Sequence, residues 1–202
     1  MERGAGWTIA HQNSLGKIVN MKKLILLLIF LIMAGMATMA ETIGMAGKFT
    51  LSSDTIKDGA MLASEQVFNG FGCTGGNISP DLAWSNPPDN TKSYALIVHD
   101  PDAPVENGWY HWVVINIPVA KTSLAKGEKI AAPALECRTS FGKSGYGGAC
   151  PPKGHGKHRY IFTIYALDTA QIAPKQEPTE IEKLIAPHIL DKASIMAYYD
   201  RT

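Results

Sequence analysis

Three nearly continuous apolar segments constrain this chain more than any other feature of its sequence. They cover residues 93–99, 109–117 and 158–167, and they are rich in β-branched and aromatic side chains. Such runs are typical of strands buried on both faces of a sheet. Residues 49–53 alternate apolar and polar side chains, as a half-buried strand does. The sequence therefore predicts a mainly β domain, most simply two packed antiparallel sheets with peripheral helices.

The last part of the chain carries the main helical pattern. Apolar side chains recur at roughly helical spacing between residues 180 and 199, and Thr179 is a candidate helix cap. Pro187 is expected to interrupt the pattern. We predict two short helices or one kinked helix against the sheet edge, and a connecting loop over residues 118–134.

The first forty residues have the order of an export signal. Lys22 and Lys23 precede an apolar run, residues 24–33, and small side chains follow as far as Ala40. The run is shorter than the about 20 apolar residues that a membrane-spanning helix needs. We predict that residues 21–40 are a signal peptide cleaved after Ala40, with a retained anchor as the alternative. A periplasmic or secreted protein is expected.

The remaining sequence is long enough for one hydrophobic core. Residues 41–202 are predicted to form a single domain. Residues 1–20 are polar and lack periodicity, and Met21 opens a complete signal by itself. We expect residues 1–20 to be an upstream extension or a misassigned start.

The overall charge bears on the class of partner. The formal net charge is +1, and no stripe of Lys and Arg alternates with aromatic residues. This composition argues against a nucleic-acid partner. It suits a small-molecule ligand or a weak protein contact, and a homodimer stays open.

Three cysteines follow the predicted signal. Cys73 lies in the glycine-rich segment 71–76 and Cys150 in the glycine-rich segment 147–152, while Cys137 lies outside both. A pair is expected to bridge in an oxidising compartment, and flexible loops make this easy, so we predict a disulfide between Cys73 and Cys150. Three free or buried thiols are the alternative. Zinc is disfavoured because no two cysteines have metal-ligand spacing.

Asp100 and Asp102 lie in the segment 100–104, directly after a predicted buried strand. Taken alone, this segment is typical of a turn, because Asp and Pro are favoured there. However, His111 opens the next buried strand, and chain reversal should bring it to the same sheet edge.

His158 and Tyr160 are two residues apart in the third apolar segment, so in a strand they project from the same face. Polar groups at the mouth of an apolar wall are typical of small-ligand pockets. The preceding loop, residues 150–157, has glycines whose amides can point at an anion, although a flexible surface loop explains the same residues.

The order of these motifs resembles a known family. Residues 100–104, 109–116 and 151–160 together are similar to the phosphatidylethanolamine-binding family, above all its bacterial Raf-kinase-inhibitor-like branch. Residues 71–84 and 147–150 resemble the exported members of that branch.

The resemblance implies an antiparallel β-sandwich with C-terminal helices. It also implies that one anion pocket is formed, lined or supported by Asp100, Asp102, His111, Pro152, His158 and Tyr160. Asp102 would support the pocket and Pro152 would form a wall. A cis peptide between Ala103 and Pro104 is implied as well.

Two residues depart from the family pattern or add to it. Tyr110 stands where relatives often have a second histidine, and we expect it to narrow the pocket or merely fill it. His155 is an addition in the loop, and we expect it to be solvated.

These observations predict an exported protein that binds a phosphate or phospholipid head group, without enzymatic activity, metal or cofactor. Carboxylates beside the histidines would keep the imidazoles charged, so that they donate to the anion. One alternative is a protein-interaction or inhibitor module with a protease or host protein as target. A kinase target is hard to reconcile with export. The other alternative is a metal-dependent hydrolase using the same Asp and His groups.

Overall fold

Strands form most of the regular structure in the computed structural model, which describes residues 47–201. The strands are β1 (Thr50–Ser52), β2 (Asn69–Gly70), β3 (Cys73–Thr74), β4 (Leu82–Ser85), β5 (Ser93–Asp100), β6 (Trp109–Pro118), β7 (Ser123–Leu124), β8 (Leu135–Glu136), β9 (His158–Leu167) and β10 (Ile189–Tyr199). One α-helix, α1 (Pro178–Ile185), and two 3-10 helices, Ser64–Gln66 and Ala186–His188, complete the regular elements of this part of the chain.

The three apolar segments form the centre of a five-stranded antiparallel sheet, in the order β10-β9-β5-β6-β8. The predicted strand positions are confirmed: β5, β6 and β9 cover them and are buried along most of their length. Asp100 pairs with Trp109 at one end of β5, and His99 pairs with Ile161 of β9. This register brings the end of β5 to the starts of β6 and β9.

A smaller antiparallel sheet, β1-β4-β7, packs on one face of the large sheet. Leu51 and Trp84 of the small sheet share a buried cluster with Leu96, Trp112 and Phe162 of the large one. Each such side chain stabilises the fold by roughly 1.5–3 kcal/mol when fully buried. The predicted β-sandwich is therefore confirmed.

Helix α1 covers the opposite face of the large sheet. Ile181 and Ile185 pack there in a second buried cluster with Ile97, Val113 and Ile115. The central strands are apolar on both sides because each face has its own cover.

The prediction for residues 180–199 is only half right. A helix begins at Pro178 and ends near Pro187, as the proline requires. The helical prediction for residues 189–199 is wrong, because this segment is β10 and pairs with β9 along nearly its whole length. Ala193, Ile195 and Ala197 alternate as buried residues, and this period of two outweighs the weaker helical spacing.

The predictions for residues 1–20 and for the signal peptide at residues 21–40 lie outside the described residues. Gly47 and the residues after it form one compact unit. None of the helices between residues 47 and 201 has the length and apolar character needed to cross a membrane. The predicted loop at 118–134 contains the short strand β7, whose Leu124 is buried.

Candidate functional site

Asp100 and His158 form a buried pair at one edge of the large sheet. β5 ends at Asp100 and β9, its antiparallel neighbour, begins at His158, so the two side chains meet. His158 Nδ1 lies 2.7 Å from Asp100 Oδ2, and both residues are at most 3% exposed. The other carboxylate oxygen, Oδ1, accepts a hydrogen bond from the amide of Asp102 at 2.9 Å. Both oxygens of Asp100 are therefore engaged, as a buried carboxylate requires.

His155 extends this pair outward. It is exposed, as expected, but its ring is not free, because Nδ1 lies 2.9 Å from His158 Nε2. No sequence pattern predicts this contact directly. Only the spacing of three residues between the two histidines, together with the turn that Gly154 and Gly156 make at positive φ, hints at it.

His111 faces the same site from β6. Its Nδ1 lies 2.7 Å from the carbonyl oxygen of Gly147, so Nδ1 donates, while Nε2 is buried without a protein partner. Burial lowers the pKa of His111 to about 4, even though Gly147 and Asp100 act in the opposite direction. The prediction that the carboxylates keep this imidazole charged is wrong, because the cost of desolvation exceeds their attraction.

Tyr160 shares a face of β9 with His158, as the spacing predicts. Its ring packs edge-on against His111, with ring centroids 5.0 Å apart. Burial raises the pKa of Tyr160, and the charge of Asp100 adds to this. The side chain therefore remains a neutral phenol, which can donate a hydrogen bond.

These four residues lie around one cavity of about 210 Å3. We call Asp100, His111, His158 and Tyr160 the floor, and the exposed lining residues Phe71, Pro104, Val105 and Pro152 the rim. The remaining lining residues are Ala103, Trp109, Phe141, Cys150 and Pro151. Pro152 forms part of the wall. The cavity thus joins a polar floor to an apolar entrance.

Asp102 does not line the cavity. Its carboxylate accepts hydrogen bonds from the amide, Nε and Nη2 of Arg159, at 2.9, 2.9 and 2.6 Å. These hydrogen bonds to Arg159 lower the pKa of Asp102 to about 2. Asp102 therefore ties the turn after β5 to the start of β9.

The prediction of a cis peptide between Ala103 and Pro104 is wrong. That bond is trans, and the cis bond recorded in residues 47–201 joins Ala132 to Pro133. The chain reverses without a cis bond because the amide of Val105 donates to the carbonyl of Ala103 at 2.8 Å, closing a tight turn around Pro104. Asn107 and Gly108 then adopt positive φ and complete the reversal.

The predicted disulfide between Cys73 and Cys150 is present, with 6.1 Å between their Cα atoms. It joins two loops that line the cavity. Arg201 strengthens the same junction by donating to the carbonyls of Phe71 and Gly72. The sequence offered no signal for Arg201. Cys137 is buried as a free thiol.

Tyr110 lies on the face of β6 opposite to His111 and packs below α1. Its hydroxyl donates to Glu182 Oε2 at 2.6 Å, and its ring stacks on His99. The expectation that Tyr110 narrows or fills the pocket is wrong, because neighbouring strand residues point to opposite faces.

The described residues contain no group of three or more His, Cys, Asp or Glu side chains arranged to hold a metal ion. The floor instead offers a phenol donor, a neutral imidazole acceptor and an imidazole paired with a carboxylate. This set can orient a small polar ligand by hydrogen bonds.

Comparisons with known proteins agree with this architecture. Residues 52–200 match the family described as "Phosphatidylethanolamine-binding protein". The chain is 48% identical over 133 residues to the UPF0098 protein YbcL of Escherichia coli, covering 63% of this chain and 73% of the relative. It is 50% identical over 127 residues to YbhB of the same organism, covering 60% of this chain and 80% of the relative.

Solved structures of the same family have the same fold as this chain. The crystal structure of E. coli YbcL, described as "a new member of the mammalian PEBP family", superposes with a TM-score of 0.74 at 40% identity. That match covers 77% of this chain and all of the other. A phosphatidylethanolamine-binding protein homolog of Chlamydia trachomatis gives 0.65 at 33% identity, covering 76% of this chain and 98% of that one.

Proposed function

Because the chain belongs to the phosphatidylethanolamine-binding protein family, we propose that it is a binding protein whose cavity accepts a small anion, either a phosphate or a phospholipid head group. The grouping of Asp100, His111, His158 and Tyr160 around one cavity of about 210 Å3 carries this proposal. An enclosed, largely apolar site with a few convergent polar groups is the usual form of a small-ligand pocket.

The carboxylate of the floor opposes an anion less than a free carboxylate would. Asp100 is the carboxylate among the lining residues, and both of its oxygens are already engaged by His158 and by the amide of Asp102. Its field is therefore partly compensated before a ligand arrives. Tyr160 supplies a hydroxyl donor, and His158 can turn its Nε2 from His155 to the ligand.

Isothermal titration calorimetry with inorganic phosphate tests the proposal. We expect Tyr160→Phe and His158→Ala to weaken binding at least about tenfold, because each removes a hydrogen bond to a charged group. His188→Ala is the matched control, since His188 forms a similar pair with Asp168 on the surface, away from the cavity. Equal affinities in all four proteins would show that phosphate does not bind at the floor.

Members of this family are generally binding proteins, and we extend this non-enzymatic role to the chain. A metal-dependent hydrolase would use the same Asp100 and His158. Metal analysis of protein purified without affinity resin distinguishes the two functions: a stoichiometric divalent ion that is lost in His158→Ala would favour the hydrolase.

We also propose export to the periplasm or the exterior. The order of basic, apolar and small residues in segment 21–40 supports export. A disulfide, such as that between Cys73 and Cys150, persists in oxidising compartments. Expression in a Gram-negative bacterium, fractionation and N-terminal sequencing test this. Periplasmic protein beginning at Glu41 is expected, and cytoplasmic protein that keeps residues 21–40 would contradict it.

The rim favours a second function, in which the cavity entrance contacts another protein, a second copy of the chain included. Phe71 is 68% exposed and Val105 is 49% exposed, and both line the same cavity entrance. Exposed apolar side chains that lie together can mark an interaction site. Pull-down with Phe71→Ala and with His158→Ala separates the two functions. A partner lost only in Phe71→Ala would indicate an interaction surface independent of the floor.

A further inference from the structure

The hydrogen-bonding state of His111 can be assigned from its contacts. A carbonyl oxygen only accepts, so the 2.7 Å contact between Nδ1 and the Gly147 oxygen places a hydrogen on Nδ1. Nε2 is the other ring nitrogen, and it is buried without a partner among the described residues. Buried polar atoms normally have partners, and His111 lines the cavity, so its unpaired nitrogen points to a ligand contact.

The charge of His111 decides whether Nε2 donates or accepts. Asp100 of β5 and His158 and Tyr160 of β9 are the titratable groups facing it, while Phe141 adds an aromatic ring. His99 acts on His111 only through its charge, because its ring stacks on Tyr110 on the opposite face of the sheet. Burial lowers the pKa of His111 to about 4 despite the charge of Asp100. Nε2 therefore carries a lone pair between about pH 5.5 and 8.

Tyr160 is a hydrogen-bond donor next to this acceptor. Its phenol stays protonated and donates, and its ring is 5.0 Å from that of His111, measured between centroids. A single ligand group that contacts both residues must accept a hydrogen bond at one oxygen and donate one from another.

We infer that the cavity takes its phosphate as a monoprotonated monoester or as inorganic phosphate, whose P–O–H group donates to Nε2 of His111. This inference rests on the function proposed above and narrows the ligand class. A phosphate diester, as in a phospholipid head group, has no hydroxyl on phosphorus, and sulfate carries no proton near neutral pH. Both would set an oxygen lone pair against that of Nε2.

Four probes test this by calorimetry on the unmodified protein: inorganic phosphate, methyl phosphate, dimethyl phosphate and sulfate. At pH 6 we expect phosphate and methyl phosphate to bind at least about tenfold more tightly than the other two, since one hydrogen bond to a charged partner exceeds 1.4 kcal/mol. Because the second pKa of a phosphomonoester is about 6, its affinity should fall by about tenfold per pH unit above that value.

The sulfate measurement also distinguishes an effect of the ligand's proton from an effect of protonating His158. If protonation of His158 controlled binding, sulfate would bind as tightly as phosphate and follow the same pH profile. His111→Phe adds a second readout, with the preference for phosphate over sulfate expected to fall to less than about threefold. Because this variant also loses the donor to Gly147, the comparison of probes on the unmodified protein carries the test.

The outcomes separate this inference from the proposed function. No binding of phosphate or its esters at pH 6 would contradict the anion pocket itself. Phosphate binding that dimethyl phosphate or sulfate matches within about threefold, or that strengthens as pH rises, would overturn only the assignment of the proton to the ligand.

Discussion

The floor and the rim of the cavity are held in place by different means. The floor residues Asp100, His111, His158 and Tyr160 belong to neighbouring strands of one sheet, and all are buried. The rim residues lie on loops, and those at Phe71 and Pro152 are joined by a disulfide and by hydrogen bonds from Arg201. Ligand chemistry therefore belongs to the part of the molecule whose geometry the sheet fixes, while the loops control stability and access.

Removing the disulfide should have the largest effect on stability. The double variant Cys73→Ser/Cys150→Ser opens a link between residues 77 apart in sequence, so the free energy of unfolding should fall by about 4 kcal/mol. Urea denaturation measures this, with the unmodified protein under reducing conditions as the control. Phosphate affinity should change by less than about threefold while the variant is folded, because the floor stays on its strands.

A loss of more than about tenfold in phosphate affinity in the folded double variant would contradict this division of roles between floor and rim. That result would mean that the rim loops position the floor.

Asp100→Ala should remove function and stability together. The change leaves His158 buried without its carboxylate partner, so the free energy of unfolding should fall by about 3 kcal/mol. Phosphate binding should weaken as in His158→Ala, because Asp100 no longer orients the His158 ring. Asp168→Ala is the matched control, because Asp168 pairs with His188 where both side chains are more than 40% exposed. A loss below about 1 kcal/mol in Asp100→Ala would place the pair in a far more solvated setting.

The link between Asp102 and Arg159 should matter less. The pair is partly exposed, so Asp102→Ala should cost about 1 kcal/mol at pH 7. The folded protein lowers the pKa of Asp102 to about 2 from 3.8. Its contribution is thus complete above about pH 4 and is lost as pH falls toward 2.

Acid denaturation of Asp102→Asn tests whether the contribution of Asp102 to stability is lost as pH falls. The difference in unfolding free energy between this variant and the unmodified protein should shrink steadily below pH 4. A constant difference down to pH 2 would contradict the lowered pKa of Asp102.

His155→Ala should have the smallest effect. The residue is exposed, so stability should stay within about 0.5 kcal/mol. Phosphate affinity should rise about twofold, because Nε2 of His158 no longer faces His155. Lys153→Ala, in the same exposed loop, is the control. A tenfold loss of phosphate affinity in His155→Ala alone would contradict this and show that His155 contributes to binding.

The floor was predictable because strand geometry is regular. Two-residue spacing places His158 and Tyr160 on one face, and antiparallel neighbours bring Asp100 and His111 to the same edge. Spacing alone left Asp100 and Asp102 as turn residues, and the family resemblance assigned them to the pocket.

Other features depend on loop conformation or on the extent of burial. The contact of His155 with His158, the bonds of Arg201 and the trans peptide before Pro104 follow from backbone paths that no periodicity encodes. The neutral state of His111 follows from its burial, which appears only once the sandwich has closed. β10 was missed because the spacing of its apolar residues is also compatible with a helix, although the period of two fits better.

A crystal of the protein soaked in inorganic phosphate near pH 6 tests the central claim most directly. We predict a phosphate in the cavity, with oxygens about 2.6–3.2 Å from the Tyr160 hydroxyl and from Nε2 of His111. Phosphate bound only at surface lysines, with the floor left to water, would contradict the account.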